Sequence, residues 1–165
     1  RFQELVVRWF QLGTFVPIMR MHGARQCTLE EKGWFTDCPN EPWSFGKTNY
    51  EILSLMIRTR SKMKPYLKHM FEQASNTGRP PMRPLFFDFP QDQTVLNIED
   101  QYMLGDDLMV APVLKYQQRY RTVYFPGTSA TKWVNFWDDK EIHYGGTLKN
   151  LSVPLNTILV FRKPA

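Results

Sequence analysis

The spacing of the apolar residues along this chain of 165 residues changes close to Gly78. Between residues 53 and 74 an apolar side chain recurs at every third or fourth position, which predicts a helix with one buried face. After Gly78, short β-rich runs alternate with turn residues, which predicts an all-β part. We expect the boundary in the proline-rich segment 79–84, interpreted as a stiff linker. The predicted strands are Pro84–Phe89, Leu108–Leu114, Tyr120–Phe125, Lys132–Trp137, Leu148–Val153 and Thr157–Phe161.

The predicted helix has recognisable start and stop signals. Thr48 and Glu51 have the spacing of a capping box, in which each side chain would bind a backbone amide at the start of the helix. Asn76-Thr77-Gly78 is typical of a helix end. Pro65 lies inside the pattern and should kink the helix or divide it in two, because proline cannot donate a backbone hydrogen bond.

The segment Thr14–Gly23 follows a predicted amphipathic helix over residues 1–12, and helix followed at once by strand indicates an α/β arrangement. The segment starts as a β-rich apolar run and carries Arg20 and His22 at its far end. A buried strand that delivers an arginine and a histidine is typical of a strand that feeds a polar pocket. A structural role for a single histidine is the alternative. Pro17 indicates a local irregularity in this strand.

Composition and charge argue against several classes of function. The net charge of +5 is spread along the chain without a block of like charges, so a nucleic-acid-binding arm is not expected. The sequence contains no run of about 18 apolar residues, so no membrane span is predicted. No cofactor motif is evident. Cys27 and Cys38 lack the further ligands of a zinc site, and they are expected either to form a local disulfide or to be free thiols.

The segment 23–47 is predicted to be a long loop, and long loops in compact domains are often functional. The aromatic content of the whole chain, 15%, is high enough for a dense core, a sugar-binding platform or both. The aromatic side chains of the loop are expected either to wall a pocket or to anchor the loop on the protein. They are Trp34, Phe35, Trp43 and Phe45.

Several longer motifs stand in a fixed order along nearly the whole chain. They are R-W-F-Q-L-G-T-F-V-P-I-M-R-M-H-G (8–23), N-E-P-W-S-F-G (40–46), M-K-P-Y-L (63–67), G-R-P-P-M-R-P-L-F-F-D-F-P (78–90), D-Q-Y-M-L-G-D-D-L-M-V-A-P-V (100–113), V-Y-F-P-G (123–127) and V-P-L-N-T-I-L-V-F (153–161). In this order the chain resembles glycoside hydrolase family 31, the family of α-glucosidases and α-xylosidases.

The resemblance implies an α/β plus all-β fold, namely the end of a (β/α)8 TIM barrel followed by an antiparallel β-sandwich domain. The barrel part would be residues 1–78, and the β-sandwich domain, expected to be incomplete, residues 79–165. Within the barrel part, residues 1–12 would close helix seven, Thr14–His22 would be strand eight and Thr48–Thr77 would be helix eight.

The same resemblance implies retaining hydrolysis of terminal α-linked glucose or xylose. His22 matches the family histidine that hydrogen-bonds the hydroxyl groups of the sugar. Arg20 matches an arginine near the same strand end, and its implied role is to orient nearby carboxylates. The motifs of the two catalytic aspartates are not found in this sequence. Asp106 and Asp107 are interpreted as structural or surface residues. Asp88, Asp138 and Asp139 are interpreted as turn or surface residues, and His69 as structural.

The resemblance therefore implies a fragment that is inactive alone. Its partners would be a carbohydrate substrate and the remainder of the enzyme, comprising the N-terminal domain and barrel strands 1–7, and it would need no cofactor or metal. A second hypothesis is a non-catalytic carbohydrate-binding or scaffolding module, which the aromatic β part and the missing catalytic pair favour. A nucleic-acid-binding domain is a third hypothesis, and the dispersed charge argues against it.

Overall fold

A computed structural model of the protein describes residues 1–23, 25 and 38–164, with helices first and antiparallel sheets after them. The helices are α1 (Phe2–Thr14), α2 (Lys47–Lys62), α3 (Lys64–Thr77) and the short α4 (Leu85–Asp88), with 3-10 turns at Pro42–Phe45 and Gln93–Asn97. The strands are β1 (Met82–Pro84), β2 (Tyr102–Leu104), β3 (Leu108–Ala111), β4 (Tyr120–Phe125), β5 (Lys132–Asn135), β6 (Ile142–Tyr144), β7 (Thr147–Ser152) and β8 (Leu159–Arg162). In the described ranges, no helix has the length and apolar character that crossing a membrane requires.

The long predicted helix is divided in two at Met63, as the position of Pro65 predicted. Its end is also confirmed, because Gly78 follows α3 in the left-handed conformation, with φ of +73°. The prediction of a capping box at Thr48 and Glu51 is wrong. The helix α2 begins one residue earlier than Thr48, Gly46 occupies the N-cap position, and no side chain caps it.

The helix α1 extends one residue past Gly13, to Thr14. Its buried face carries Val7, Phe10 and Gln11, which pack towards α2 and the sheets. Its other face leaves Trp9 65% exposed. The apolar side chains of α1 therefore divide between a packed face and an uncovered one.

The strand predicted over Thr14–His22 is not formed. The carbonyl groups at its start accept hydrogen bonds from side chains instead of from a neighbouring strand: Arg60 donates to Thr14 and Pro17, and Tyr102 donates to Phe15. Pro17 adds no donor of its own. In the described part of the first 78 residues, β-bridging is limited to a single pair, Arg25 with Cys38.

Cys38 is disulfide-bonded, so for this residue the free-thiol alternative is excluded. Cys27 lies outside the described residues, as do Trp34 and Phe35 of the predicted aromatic loop. Of the two remaining aromatic residues in that loop, Phe45 is buried against α1 and Trp43 is 66% exposed. Phe45 thus has the anchoring role rather than a place in a pocket wall.

The all-β part forms two antiparallel sheets. One sheet has the order β1-β2-β3-β8-β5-β6, and β4 pairs with β7 in the second. The strand predicted over Tyr120–Phe125 matches β4, whereas the one predicted over Pro84–Phe89 is wrong, because β1 ends at Pro84 and α4 follows. The segment 79–84 is likewise not a simple linker: it runs into β1, where the Arg83 side chain is 3% exposed.

Alternate residues of the larger sheet point to two different cores, as the period of two in a strand requires. One face carries Tyr102, Leu104, Leu108, Val110 and Val160, which pack with the helices. The other face carries Met103, Met109, Ala111, Trp133 and Phe161, which pack with residues of the smaller sheet. The protein is thus built in three layers, and the larger sheet is the middle one.

Polar groups also join α1 to the β part. The Arg8 guanidinium donates to the carbonyl oxygens of Val153 and Thr157 at 2.9 and 2.8 Å. Gln11 donates to the carbonyl of Leu155 at 2.7 Å. Arg8 is 7% exposed, and burial lowers its pKa to about 10. A buried cation held by backbone carbonyls makes this contact costly to separate.

Candidate functional site

An open depression of about 480 Å³ lies beside the uncovered face of α1. One wall is α1, with Trp9 among its residues, and the other wall is the irregular segment 16–22, which contributes Arg20 and His22. Asn40, which precedes the first 3-10 turn, completes the lining. The two residues singled out in the sequence therefore share one depression.

The segment that carries Arg20 and His22 is held on both sides. Upstream, Met19 packs on α1 so closely that a Cβ atom at Gly13 would lie 3.3 Å from Cγ of Met19. Downstream, the Asn40 side chain donates a hydrogen bond of 3.3 Å to the carbonyl of Gly23. Gly23 has φ of +106°, a conformation that suits glycine, and the backbone turns there directly after His22.

Arg20 and His22 are both exposed. Within the described part of the chain, neither side chain makes a hydrogen bond or an ion pair, so their polar atoms are available to a ligand. The indole of Trp9 forms an apolar surface in the same depression. A few polar groups beside an aromatic surface are typical of sites that bind small polar ligands such as sugars.

Sequence reasoning did not select Trp9 and Asn40 as site residues. Trp9 lies in the helix predicted over residues 1–12, and Asn40 lies in the motif N-E-P-W-S-F-G (40–46). The fold brings both to Arg20 and His22 from separate parts of the chain. Both residues belong to motifs that carry the family resemblance, and this membership is the signal that could have identified them.

The depression has no carboxylate among its described lining residues. The arrangement can therefore bind and orient hydroxyl or carboxylate groups, but the described residues do not supply a nucleophile or an acid for glycoside hydrolysis. No described group of His, Cys, Asp or Glu side chains is arranged to hold a metal ion.

The aspartates of the β part have other roles. Asp88 is not a surface residue, since its side chain is 6% exposed and accepts a hydrogen bond of 2.8 Å from the Arg83 Nε. Asp106 is more exposed and binds the same guanidinium at 2.9 Å. Asp138 and Asp139 are exposed, as expected. His69 is exposed on α3 and lies outside the depression.

Comparison with known protein families matches both parts of the chain. Residues 1–70 match the family model described as "Glycosyl hydrolases family 31 TIM-barrel domain", and residues 78–164 match "Glycosyl hydrolase family 31 C-terminal domain". Alpha-xylosidase A of Aspergillus niger is 37% identical over 97% of this chain and 23% of its own length. Alpha-glucosidase 2 of Bacillus thermoamyloliquefaciens is 34% identical over 97% of this chain and 19% of its own.

Solved structures agree with this assignment. An α-xylosidase from a soil metagenome, crystallised with xylose, superimposes with a TM-score of 0.89 and 40% identity over 99% of this chain and 25% of its own. The xylosidase of Aspergillus niger gives a TM-score of 0.88 and 36% identity, over 99% of this chain and 24% of its own. The chain thus spans a quarter or less of the length of these relatives. It belongs to glycosyl hydrolase family 31, with the end of the family's TIM barrel and its C-terminal domain.

Proposed function

We propose that this chain is part of a retaining α-glycosidase that hydrolyses terminal α-linked glucose or xylose from oligosaccharides or glycosides. The observation that carries the proposal is the convergence of Arg20, His22 and the Trp9 indole on one depression. The similarity to relatives named as α-xylosidase and α-glucosidase supports both sugars as candidates.

In this proposal, residues 1–78 are the C-terminal part of the catalytic barrel, and residues 79–165 belong to the β-sandwich domain that follows it. The uncovered face of α1 supports this division, because Leu5 and Trp9 on that face are 51% and 65% exposed. Large apolar side chains of a barrel helix normally pack against neighbouring barrel elements. The remainder of the enzyme would cover them.

His22 would hydrogen-bond hydroxyl groups of the sugar at the cleaved end. Such bonds accelerate the reaction to the extent that they strengthen as the ring distorts towards the transition state. Arg20 would orient the carboxylates. Retaining hydrolysis needs two carboxyl groups about 5 Å apart, one as the nucleophile and one as the acid and base. We assign both to the remainder of the enzyme, so the isolated chain would be inactive.

The test is to purify the protein that carries this chain and to determine its intact mass together with its activity. The substrates are p-nitrophenyl α-xyloside and p-nitrophenyl α-glucoside, with the β-glucoside as a matched control. We expect hydrolysis of at least one α-substrate and none of the control. Proton NMR of the first product should show the α-anomer, because two displacements retain configuration.

Two outcomes would contradict the proposal. If the β-anomer appears first, the reaction is inverting and the assigned mechanism fails. If the complete protein binds xylose or glucose but hydrolyses neither substrate, the chain belongs to a non-catalytic carbohydrate-binding module.

A further inference from the structure

We propose that Arg60 and Tyr102 are positioning residues for this sugar pocket, because together they fix the backbone of residues 14–17, from which the chain runs directly to Arg20 and His22. The inference rests on the proposed function, since it concerns the same pocket. It adds a role for two residues that lie outside the depression, one on α2 and one in the β part.

Four consecutive backbone carbonyls take part in this arrangement. The Arg60 Nη1 atom donates to the carbonyl of Thr14 at 2.9 Å and also to that of Val16, and its Nη2 atom donates to the carbonyl of Pro17 at 2.7 Å. The Tyr102 hydroxyl donates to the carbonyl between them, that of Phe15, at 2.9 Å.

These bonds hold a segment that has little other regular support. Thr14 ends α1, and residues 15–22 form neither helix nor strand. A cation beside the carbonyl end of a helix is favourable, which adds to the hydrogen bond at Thr14. The guanidinium is planar and rigid, so one side chain can bind several carbonyls in a fixed geometry.

The distance along the chain from this arrangement to the pocket is short. Only Ile18 and Met19 separate Pro17 from Arg20, and Ile18 is 79% exposed and therefore little anchored. Beyond Pro17, the segment is held by the packing of Met19 beside Gly13 and by the hydrogen bond from Asn40 to Gly23. Small displacements of positioned groups are costly, since about 1 Å can lower a rate by about 100-fold.

The surroundings of the two side chains favour backbone binding over an ion pair. Arg60 makes no salt bridge within the described ranges, and burial lowers its pKa. Tyr102 is 8% exposed, and burial raises its pKa, which keeps the hydroxyl protonated as a donor. Since Tyr102 lies on β2, the larger sheet of the β part contacts the segment that enters the pocket.

The experiment compares Arg60→Ala, Arg60→Lys and Tyr102→Phe in the full-length enzyme. We expect Arg60→Ala to lower kcat/KM by about 10- to 100-fold. Arg60→Lys should recover little of the kcat/KM that Arg60→Ala loses, because one ammonium group cannot bind three carbonyls in the geometry of the guanidinium. Tyr102→Phe removes one hydrogen bond and should lower kcat/KM by a few fold. Arg58→Ala, an exposed position on the same helix, is the matched control and should leave activity unchanged.

A double-mutant cycle with His22→Ala separates positioning from general stability. If Arg60 acts by placing Arg20 and His22, the double variant should lose much less than the product of the two single losses. The inference would be overturned if Arg60→Ala lowered kcat/KM by the same factor in the wild-type and His22→Ala enzymes. It would also be overturned if Arg60→Ala lowered the unfolding temperature without changing kcat/KM. If Arg60→Ala does not fold, the cycle with Tyr102→Phe decides in the same way. An unchanged activity of His22→Ala alone would instead contradict the proposed pocket.

Discussion

His22 lies at the end of a fixed backbone segment, and its side chain faces an open depression. In the complete enzyme we expect His22→Ala to lower kcat/KM by a factor on the order of 100 to 1,000, the size expected for a lost transition-state hydrogen bond. The measurement is steady-state kinetics on p-nitrophenyl α-xyloside and α-glucoside, with the unfolding temperature as a check of folding. His69→Ala, an exposed histidine outside the depression, is the control and should retain full activity. Equal activity of both variants would remove His22 from the pocket.

Glu4 connects α1 with the loop before β4 through a contact of 2.6 Å to Arg119. The hydrogen bond from Arg119 lowers the pKa of the Glu4 carboxyl, because it favours the ionised form. A lowered pKa contributes stability that is present above the ordinary pKa of a glutamate and is lost as the pH falls through the lowered value.

We therefore expect Glu4→Gln to lower the unfolding temperature at pH 7 and to lower it less at pH 3, because the contribution of the ionised carboxyl is lost progressively below the ordinary pKa of a glutamate. The measurement is thermal unfolding of the complete protein at both pH values. Glu72→Gln removes an exposed helix pair with Lys68 and serves as the control, with little change at either pH. A larger effect at pH 3 than at pH 7 would contradict the assignment.

Tyr66 joins the helix α3 to the turn between β2 and β3. Its hydroxyl donates to the carbonyl of Leu104 at 2.7 Å and accepts from the amide of Asp107 at 3.3 Å. Burial raises the pKa of Tyr66 to about 12, so the hydroxyl stays protonated over the working range of pH. Gly105 lies against this ring with φ of +65°, and a Cβ atom there would overlap the hydroxyl.

Gly105→Ala should therefore destabilise the protein by about 3 kcal/mol, from backbone strain and from displacement of Tyr66. Gly78→Ala is the matched control, since Gly78 has a similar φ of +73° but open space where the Cβ would lie. It should cost only the strain, about 1 kcal/mol. Urea unfolding of both variants measures the difference, and equal costs would show that the contact with Tyr66 is unimportant.

The elements that the sequence predicted well are those with strong local signals. Tyr120–Phe125 has β-rich composition before a Phe-Pro-Gly turn, and Pro65 marks the break between α2 and α3. Leu85–Asp88 lies within the strand predicted over Pro84–Phe89, but it forms a short helix whose Asp88 binds the buried Arg83. The same guanidinium also binds the carbonyl of Gly105 and the carboxylate of Asp106, and these tertiary contacts are not revealed by local propensity.

The same distinction applies to the site. Arg20 and His22 were selected from one continuous segment and from the family resemblance, whereas Trp9 and Asn40 join them only through the fold. The strand expected over Thr14–His22 failed for a related reason. An apolar, β-rich run indicates that a segment is extended, but it does not say which donors its carbonyls will meet. Here two of those donors are Arg60 and Tyr102.

At the scale of the whole molecule, the uncovered face of α1 exposes large apolar side chains to solvent. Trp9 and Ile18 beside the depression are 65% and 79% exposed. We expect residues 1–165 expressed alone to self-associate, because large exposed apolar patches drive association. Light scattering against concentration measures this. Trp9→Lys should reduce the association, and Leu148→Lys, which removes an equally exposed apolar side chain on β7, should not. A monomeric wild-type chain would contradict the expectation.

The hydrogen bonds from Arg8 to Val153 and Thr157 have a consequence for exchanging parts between family members. The middle sheet shares one core with the helices, so its residues Tyr102 and Val160 pack in the same cluster as Val7 and Phe10 of α1. Replacing only residues 79–165 with the corresponding piece of a relative would leave Arg8 and the helical part of that cluster to pack against a sheet face with other side chains. A working chimera would have to inherit α1 together with the sheets, so the unit of modular exchange crosses the boundary between the two family domains.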